Sequence, residues 1–244
     1  MESYVQLRHI YKNFNHVKAL EDVSIQAYKG EVLAIVGDNG AGKSTLIKIL
    51  SGVLQPDSGH IEIGGKKYNS LSVESASRAG VSTVYQDLAL ANTLDVTTNI
   101  FIGQEIINHR LLQKEEMNRK AMELLNDLDI DIPSMSEIVG NLSGGQRQSI
   151  AVARLINKGG EVLIFDEPTA AMGVVESSKT LKLIKNLAKR GMVVILICHN
   201  LAQVFQIADR IAVMRHGRVL VEKPIEHSSM HEVVALLTSA DEIL

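Results

Sequence analysis

A single cysteine, Cys198, stands in 244 residues, which excludes an internal disulfide and is compatible with a reducing cytosol. Long apolar runs are missing too. The longest, such as Val193 to Cys198 and Val32 to Val36, fall far short of the roughly 20 residues that a membrane-spanning helix needs, so the chain is expected not to cross a bilayer. Positive charge is not in excess: 25 Lys and Arg face 28 Asp and Glu, for a net charge of -3. No basic field therefore favours nucleic acid as a partner. Met1-Glu2-Ser3-Tyr4 has neither the basic start nor the apolar run of a secretory signal, so no export is expected. No internal repeat, low-complexity tract or long polar linker interrupts the chain. What remains is an ordinary globular composition, 45% hydrophobic and 22% charged, with enough residues to bury a full core.

Hydrophobic patterning points to an α/β architecture. Val5 to Ile10 and Val23 to Ala27 alternate like half-exposed strands, with a turn at Lys29-Gly30 after them. Val32 to Val36 is instead continuously apolar, and with Val81 to Tyr85, Val162 to Phe165 and Val193 to Ile197 it predicts buried strands of a mostly parallel sheet. From about Asp87 to Lys158 the pattern turns helical, with Met117, Ala121, Leu124, Leu125 and Leu128 on one face. That stretch reads as a helical insert in the α/β core. A hairpin is expected at Ile211 to Met214 and Val219 to Val221 around His216-Gly217, followed by a last helix near Met230 to Thr238.

Two glycine-centred segments carry the chemistry. Gly37-Asp38-Asn39-Gly40-Ala41-Gly42-Lys43-Ser44-Thr45 follows the buried strand and precedes Leu46, Ile47, Ile49 and Leu50 at helical spacing. It matches the G-x-x-x-x-G-K-[ST] phosphate loop, in which backbone N–H groups close on phosphates, a lysine reaches the β and γ groups and a hydroxyl is offered to Mg2+. Lys43 and Ser44 would fill those roles for ATP or GTP. The second segment, Leu142-Ser143-Gly144-Gly145-Gln146, precedes a helix running to about Ile156. Ser143 reads as its N-cap, and the free N–H groups and positive dipole end of such a helix welcome an anion. Taken alone it reads equally well as a plain helix start.

Val162-Leu163-Ile164-Phe165 delivers Asp166 and Glu167 to the end of a strand, where alternation separates the two carboxylates. With a phosphate loop present, Asp166 suits the Mg2+ shell and Glu167 a general base for water. Cys198 and His199 are adjacent, so they would face opposite sides and form no nucleophile–base pair. His227 and His231 are four apart but lack a third ligand, and they read as surface histidines.

The phosphate loop at 37–45, LSGGQ at 142–146 and LIFDEP at 163–168 together resemble the nucleotide-binding subunit of an ATP-binding cassette transporter, over nearly the whole chain. The resemblance implies the corresponding fold: a P-loop NTPase core with a mostly parallel sheet, an antiparallel β subdomain and a helical insert. Residues 1–86 and 159–244 would form the core and β subdomain, and 87–158 the helical subdomain. It further implies that Gln86 senses the γ-phosphate and Mg2+ and that His199 contacts the γ-phosphate. Phe14 would stack on adenine, with Tyr11 as the competing ring. Two chains would close head to tail over two ATP molecules. One chain would contribute Gly37, Asn39, Gly40, Ala41, Gly42, Lys43, Ser44, Thr45, Gln86, Asp166, Glu167 and His199, and the other Ser143, Gly144, Gly145 and Gln146.

One departure stands out. Where most family members carry an aspartate that contacts the opposite subunit, this chain has Gly173, in Thr169-Ala170-Ala171-Met172-Gly173. The same absence, and the Val84-Tyr85-Gln86-Asp87-Leu88-Ala89-Leu90 and Gly173-Val174-Val175-Glu176-Ser177 segments, are similar to the branch that powers monosaccharide importers. Many members of that branch fuse two cassettes; one copy of each motif here implies pairing with itself or a sibling. The resemblance thus implies an ATPase peripheral to the cytoplasmic face of the cell membrane. It would power sugar import through a separate permease, with an extracytoplasmic sugar-binding protein in the complex. An exporter subunit, or an importer for a solute other than sugar, would use the same ATPase residues.

Overall fold

The computed structural model describes residues 3–85, 87–170 and 172–238. In chain order its strands are β1 (Val5–Phe14), β2 (Val17–Ala27), β3 (Val32–Gly37), β4 (Ser58–Ile63), β5 (Lys66–Tyr68), β6 (Val81–Val84), β7 (Ile107–Asn108), β8 (Leu111–Leu112), β9 (Val162–Asp166), β10 (Val193–Ile197), β11 (Arg210–Arg215) and β12 (Arg218–Pro224). Its α-helices are α1 (Lys43–Leu50), α2 (Val73–Arg78), α3 (Val96–Phe101), α4 (Lys114–Asp127), α5 (Gly144–Asn157), α6 (Val174–Lys189), α7 (Leu201–Ile207) and α8 (Met230–Thr238). Among the described residues no helix is long and apolar enough to cross a membrane.

The chain divides into two compact units, one of Met1–Thr83, Glu161–Glu167 and Ile184–Leu244, the other of Val84–Gly160 and Pro168–Leu183. The first holds a sheet in the order β12-β11-β3-β10-β9-β6. Its four central strands β11, β3, β10 and β9 run parallel, and β12 joins as an antiparallel edge. Strands β3 and β10 are buried along their whole length, which explains their unbroken apolar sequence: both sheet faces are covered. A second sheet, β2-β1-β4-β5, is antiparallel. Leu7, Ile10, Val23 and Ile25 of that sheet share one core with Leu33, Ile35, Ile164 and Ile195 of the parallel strands and with Leu46, Ile47, Ile49 and Leu50 of α1. The phosphate loop is therefore seated on packed elements on both of its flanks.

Three features depart from the sequence-based expectation. Strands β1 and β2 run well beyond Val5–Ile10 and Val23–Ala27. Their pairing shifts register repeatedly, and His9 and Asp22 take left-handed conformations at φ 52° and 54°. Such bulges reset which residues face the core, so the expected alternation of Val5 to Ile10 breaks after Leu7, and Ile10 is buried three residues later. The β4–β5 hairpin was not anticipated; it turns through Gly64 and Gly65, both at positive φ.

In the second unit α3, α4 and α5 supply the expected helices, and α4 buries Met117, Ala121 and Leu125. The same stretch also contains the small β7–β8 hairpin. Its Ile107, Leu111 and Leu112 are exposed, so no burial period marks it.

Candidate nucleotide-binding site

In the first unit the chain leaves β3 at Gly37 and re-enters helix at Lys43. Both ends of that loop demand glycine. A Cβ on Gly37 would lie 2.4 Å from the Met214 carbonyl oxygen, and one on Gly42 would lie 2.7 Å from the Ala19 carbonyl oxygen. Gly42, the N-cap of α1, has φ 99° and gives no side-chain cap, so the first N–H groups of the helix are left for a ligand. Lys43 is 6% exposed. Its Nζ donates to the carbonyl oxygens of Gly37 at 2.7 Å and Asp38 at 2.9 Å. Burial pulls its pKa below the ordinary lysine value, against the opposing pull of Glu167, Asp38 and Asp166. A phosphate arriving here meets a cation that is poorly solvated and already aimed into the loop.

At the C-terminal end of β9, Asp166 has its pKa raised by burial and then by the neighbouring Glu167, with Lys43 opposing. Glu167 is left-handed, at φ 51°, and its N–H donates to the Ile197 carbonyl at 3.0 Å. A non-glycine residue held there is strained, and such strain persists only where surrounding bonds enforce it. The result turns the Glu167 carboxylate toward the chain beyond β10, where its Oε1 lies 2.6 Å from His199 Nε2. Cys198 is buried, and like His199 it lies just past the end of β10 rather than within it.

An open cavity of about 320 Å³ is lined by Phe14, Val17, Lys18 and Ala19, by the loop from Asn39 to Thr45, and by Glu167 and His199. The structure thus brings Phe14, Asn39, Gly40, Ala41, Gly42, Lys43, Ser44, Thr45, Glu167 and His199 into one place. Gly37 and Asp166 are not part of the lining. Phe14 is 43% exposed and offers a ring to the cavity; Tyr11 does not line it. Val17, Lys18 and Ala19 were missed from the sequence, although the short turn between Phe14 and Val17 implies that the next strand returns beside the ring. Gln86 lies outside the described residues.

In the second unit Ser143 caps α5. Its side chain accepts from the Gln146 N–H at 3.3 Å, and the Gln146 side chain accepts from the Ser143 N–H at 3.1 Å. This capping box leaves out the N–H groups of Gly144 and Gly145, the first two residues of the helix. Neither glycine has a positive φ, and an added Cβ would find nothing nearer than the Glu176 side chain, at 3.7 Å and 3.5 Å respectively. Among the described residues, then, nothing in the fold requires glycine at either position. Gly173 is likewise open, with no described heavy atom within 4 Å of an added Cβ.

For Mg2+, no group of three or more His, Cys, Asp or Glu among the described residues could hold a metal alone. The half-buried Asp166 carboxylate with the exposed Ser44 hydroxyl suits an ion that keeps waters and phosphate oxygens in its shell.

A family model described as "ABC transporter" matches residues 20–170. The chain is 44% identical to the xylose/arabinose import ATP-binding protein XylG of Sulfolobus acidocaldarius, over 98% of this chain and 95% of that one. It is 41% identical to the fructose import ATP-binding protein FrcA of Rhizobium meliloti, over 99% and 96%. The ribose import ATP-binding protein RbsA of Caldanaerobacter subterraneus matches at 34% identity over 99% of this chain but only 49% of its own length. Among solved structures, a nucleotide-free ATP-binding cassette from an ABC transporter superposes with a TM-score of 0.82 at 26% identity, over 98% of this chain and 96% of that one. A dimeric cassette in a post-hydrolysis state, bound to ADP and Pi, superposes with a TM-score of 0.75 at 25% identity, over 91% and 98%.

Proposed function

The chain belongs to the ABC transporter family, and from that premise we propose that it is the ATP-hydrolysing subunit of a monosaccharide importer, acting in pairs at the cytoplasmic face of a separate membrane permease. The ATPase reading is carried by one observation: a single cavity collects the phosphate loop, an exposed aromatic ring and the Glu167–His199 pair. Residue by residue, the loop amides and Lys43 hold the phosphates. Phe14 presents its ring to the base. Glu167 takes the proton of the attacking water, and His199, bonded to its Oε1, fixes the direction in which the carboxylate faces. Ser44 and Asp166 would hold Mg2+, which when bound neutralises charge on the β- and γ-phosphates. Gln86 joins them on the strength of the resemblance alone.

The sugar reading is supported by relatives matched along nearly their full length whose names specify xylose, arabinose and fructose import. Pairing, in which Ser143, Gly144, Gly145 and Gln146 meet the nucleotide of a second cassette, is supported by the glycines that this fold does not explain and by the dimeric cassette it resembles. Residues 87–158 are taken as the helical subdomain that carries this signature.

Replacing Glu167 by Gln should abolish steady hydrolysis while leaving an ATP-dependent dimer, since the base is lost and the cradle kept. A chain that stays monomeric at saturating ATP contradicts the pairing. For the solute, the chain reconstituted with its permease and sugar-binding protein should hydrolyse ATP faster with one monosaccharide of a panel. Stimulation by a lipid or drug, and by no sugar, contradicts import.

A further inference from the structure

Helix α5 begins at the signature glycines and carries Arg154 in its last turn, ten residues and about 15 Å further along its axis. Arg154 is half-buried, yet no carboxylate among the described residues pairs with it. Burial is the one cause that lowers its pKa. Both ends of its guanidinium fork instead donate to backbone. Nη1 reaches the Ala89 carbonyl oxygen and Nη2 the Leu88 carbonyl oxygen, each at 2.8 Å.

The gripped loop follows Gln86 directly in sequence and is itself tightly determined. Ala89 is left-handed at φ 47°, and its N–H donates to the Asp87 carboxylate at 3.0 Å. Further along, Asn99 of α3 is fully buried. It accepts from the Ala91 N–H at 2.8 Å and donates to the carbonyls of Ala91, Leu94 and Asp95 at 3.0 Å, 3.3 Å and 3.0 Å. A strained backbone residue held by bonds on both sides has little freedom to move alone.

We propose that Arg154 is a positioning residue that makes the loop after Gln86 and the signature helix move as one body, so that the γ-phosphate sensed by one motif sets the position of the other. This rests on the reading of Gln86 and the signature given above. A planar fork suits the task because two parallel donors fix orientation as well as distance. A lysine ammonium can reach carbonyls with its three rotatable donors, but it lacks the planar fork that fixes their orientation. The arrangement also gives the signature helix a reason to carry a half-buried arginine with no acidic partner among the described residues: its acceptors are the carbonyls of the element it must follow.

The test uses the full chain carrying Glu167→Gln, so that pairing is read without turnover. In that background Arg154→Met should leave the ATP affinity of the single chain within about twofold, because no part of the phosphate loop is touched. The ATP concentration needed for half-maximal pairing should rise about tenfold, the scale of losing charged hydrogen bonds. Arg154→Lys should fall between wild type and Arg154→Met. A merely structural role would lower the thermal midpoint while pairing curves taken well below that midpoint superimpose on wild type, and that result overturns the proposal. If Arg154→Met does not fold, Arg154→Lys decides by the same measurement. A Glu167→Gln chain that never pairs on ATP would remove the paired-site reading itself, and the coupling with it.

Discussion

The phosphate loop and the signature both place glycine at the start of a helix, but for opposite reasons. At Gly37 and Gly42 the fold itself forbids a side chain, because backbone oxygens of Met214 and Ala19 sit where a Cβ would go and Gly42 is left-handed. At Gly144 and Gly145 the backbone is of a kind any residue adopts, and an added methyl would make ordinary contact with Glu176. Glycine is a poor helix former, by up to about 1 kcal/mol relative to alanine. It is retained at the signature without any described internal need. The first pair of glycines is explained by this chain; the second has no such internal explanation, which is why the proposed pairing assigns it to a partner's nucleotide.

Substitutions can break or sharpen that contrast. The largest effect is expected at Gly42→Ala, which should lower stability by about 2–4 kcal/mol through strain and collision and remove nucleotide binding with it; a urea titration reads the first and a nucleotide titration the second. Lys43→Ala should leave the fold intact, since it relieves a buried charge, but weaken ATP binding by roughly a hundredfold. Unchanged affinity would remove Lys43 from the site.

The acid side of the activity profile comes next. The raised pKa of Asp166 in the metal-free chain means that a proton would compete there with the proposed Mg2+ at a higher pH than at an ordinary aspartate. The Mg2+ concentration needed for half-maximal hydrolysis should therefore rise as pH falls, as Mg2+ titrations at several pH values would show. The linked effect on folding has the opposite sense. A carboxyl whose pKa is raised in the folded state costs stability as pH rises through that value, so Asp166→Asn should flatten this part of the stability–pH curve. The smallest change in stability is expected at Gly145→Ala, a gain of no more than about 1 kcal/mol, with ATP affinity unaltered and pairing lost.

Much of the first site was legible because its geometry is local. A buried strand, a glycine loop and a helix follow one another in sequence; hydrophobic patterning marks the strand and the helix, and the G-x-x-x-x-G-K-[ST] spacing marks the loop. The parallel strands β3, β9 and β10 were equally plain, since burial on both faces leaves no polar interruption. The antiparallel elements were harder. Bulges at His9 and Asp22 break the alternation of β1 and β2. The β4–β5 hairpin could have been found from its Gly64-Gly65 doublet, whereas β7–β8 is exposed and leaves no apolar signature.

At the site, the left-handed turn of Glu167 and its bond to His199 depend on the Ile197 carbonyl of a neighbouring strand, which the sequence does not bring near. The grip of Arg154 on Leu88 and Ala89 spans 65 residues or more and has no local signal at all. Distant backbone acceptors are invisible to a pattern read along the chain.

The contrast between the two glycine pairs is tested most directly by sedimentation of the Glu167→Gln chain, with and without Gly145→Ala, at saturating ATP and Mg2+. If the signature serves a partner's nucleotide, the single variant sediments as a dimer and the double variant as a folded monomer with undiminished ATP affinity. A dimer that survives Gly145→Ala would contradict it.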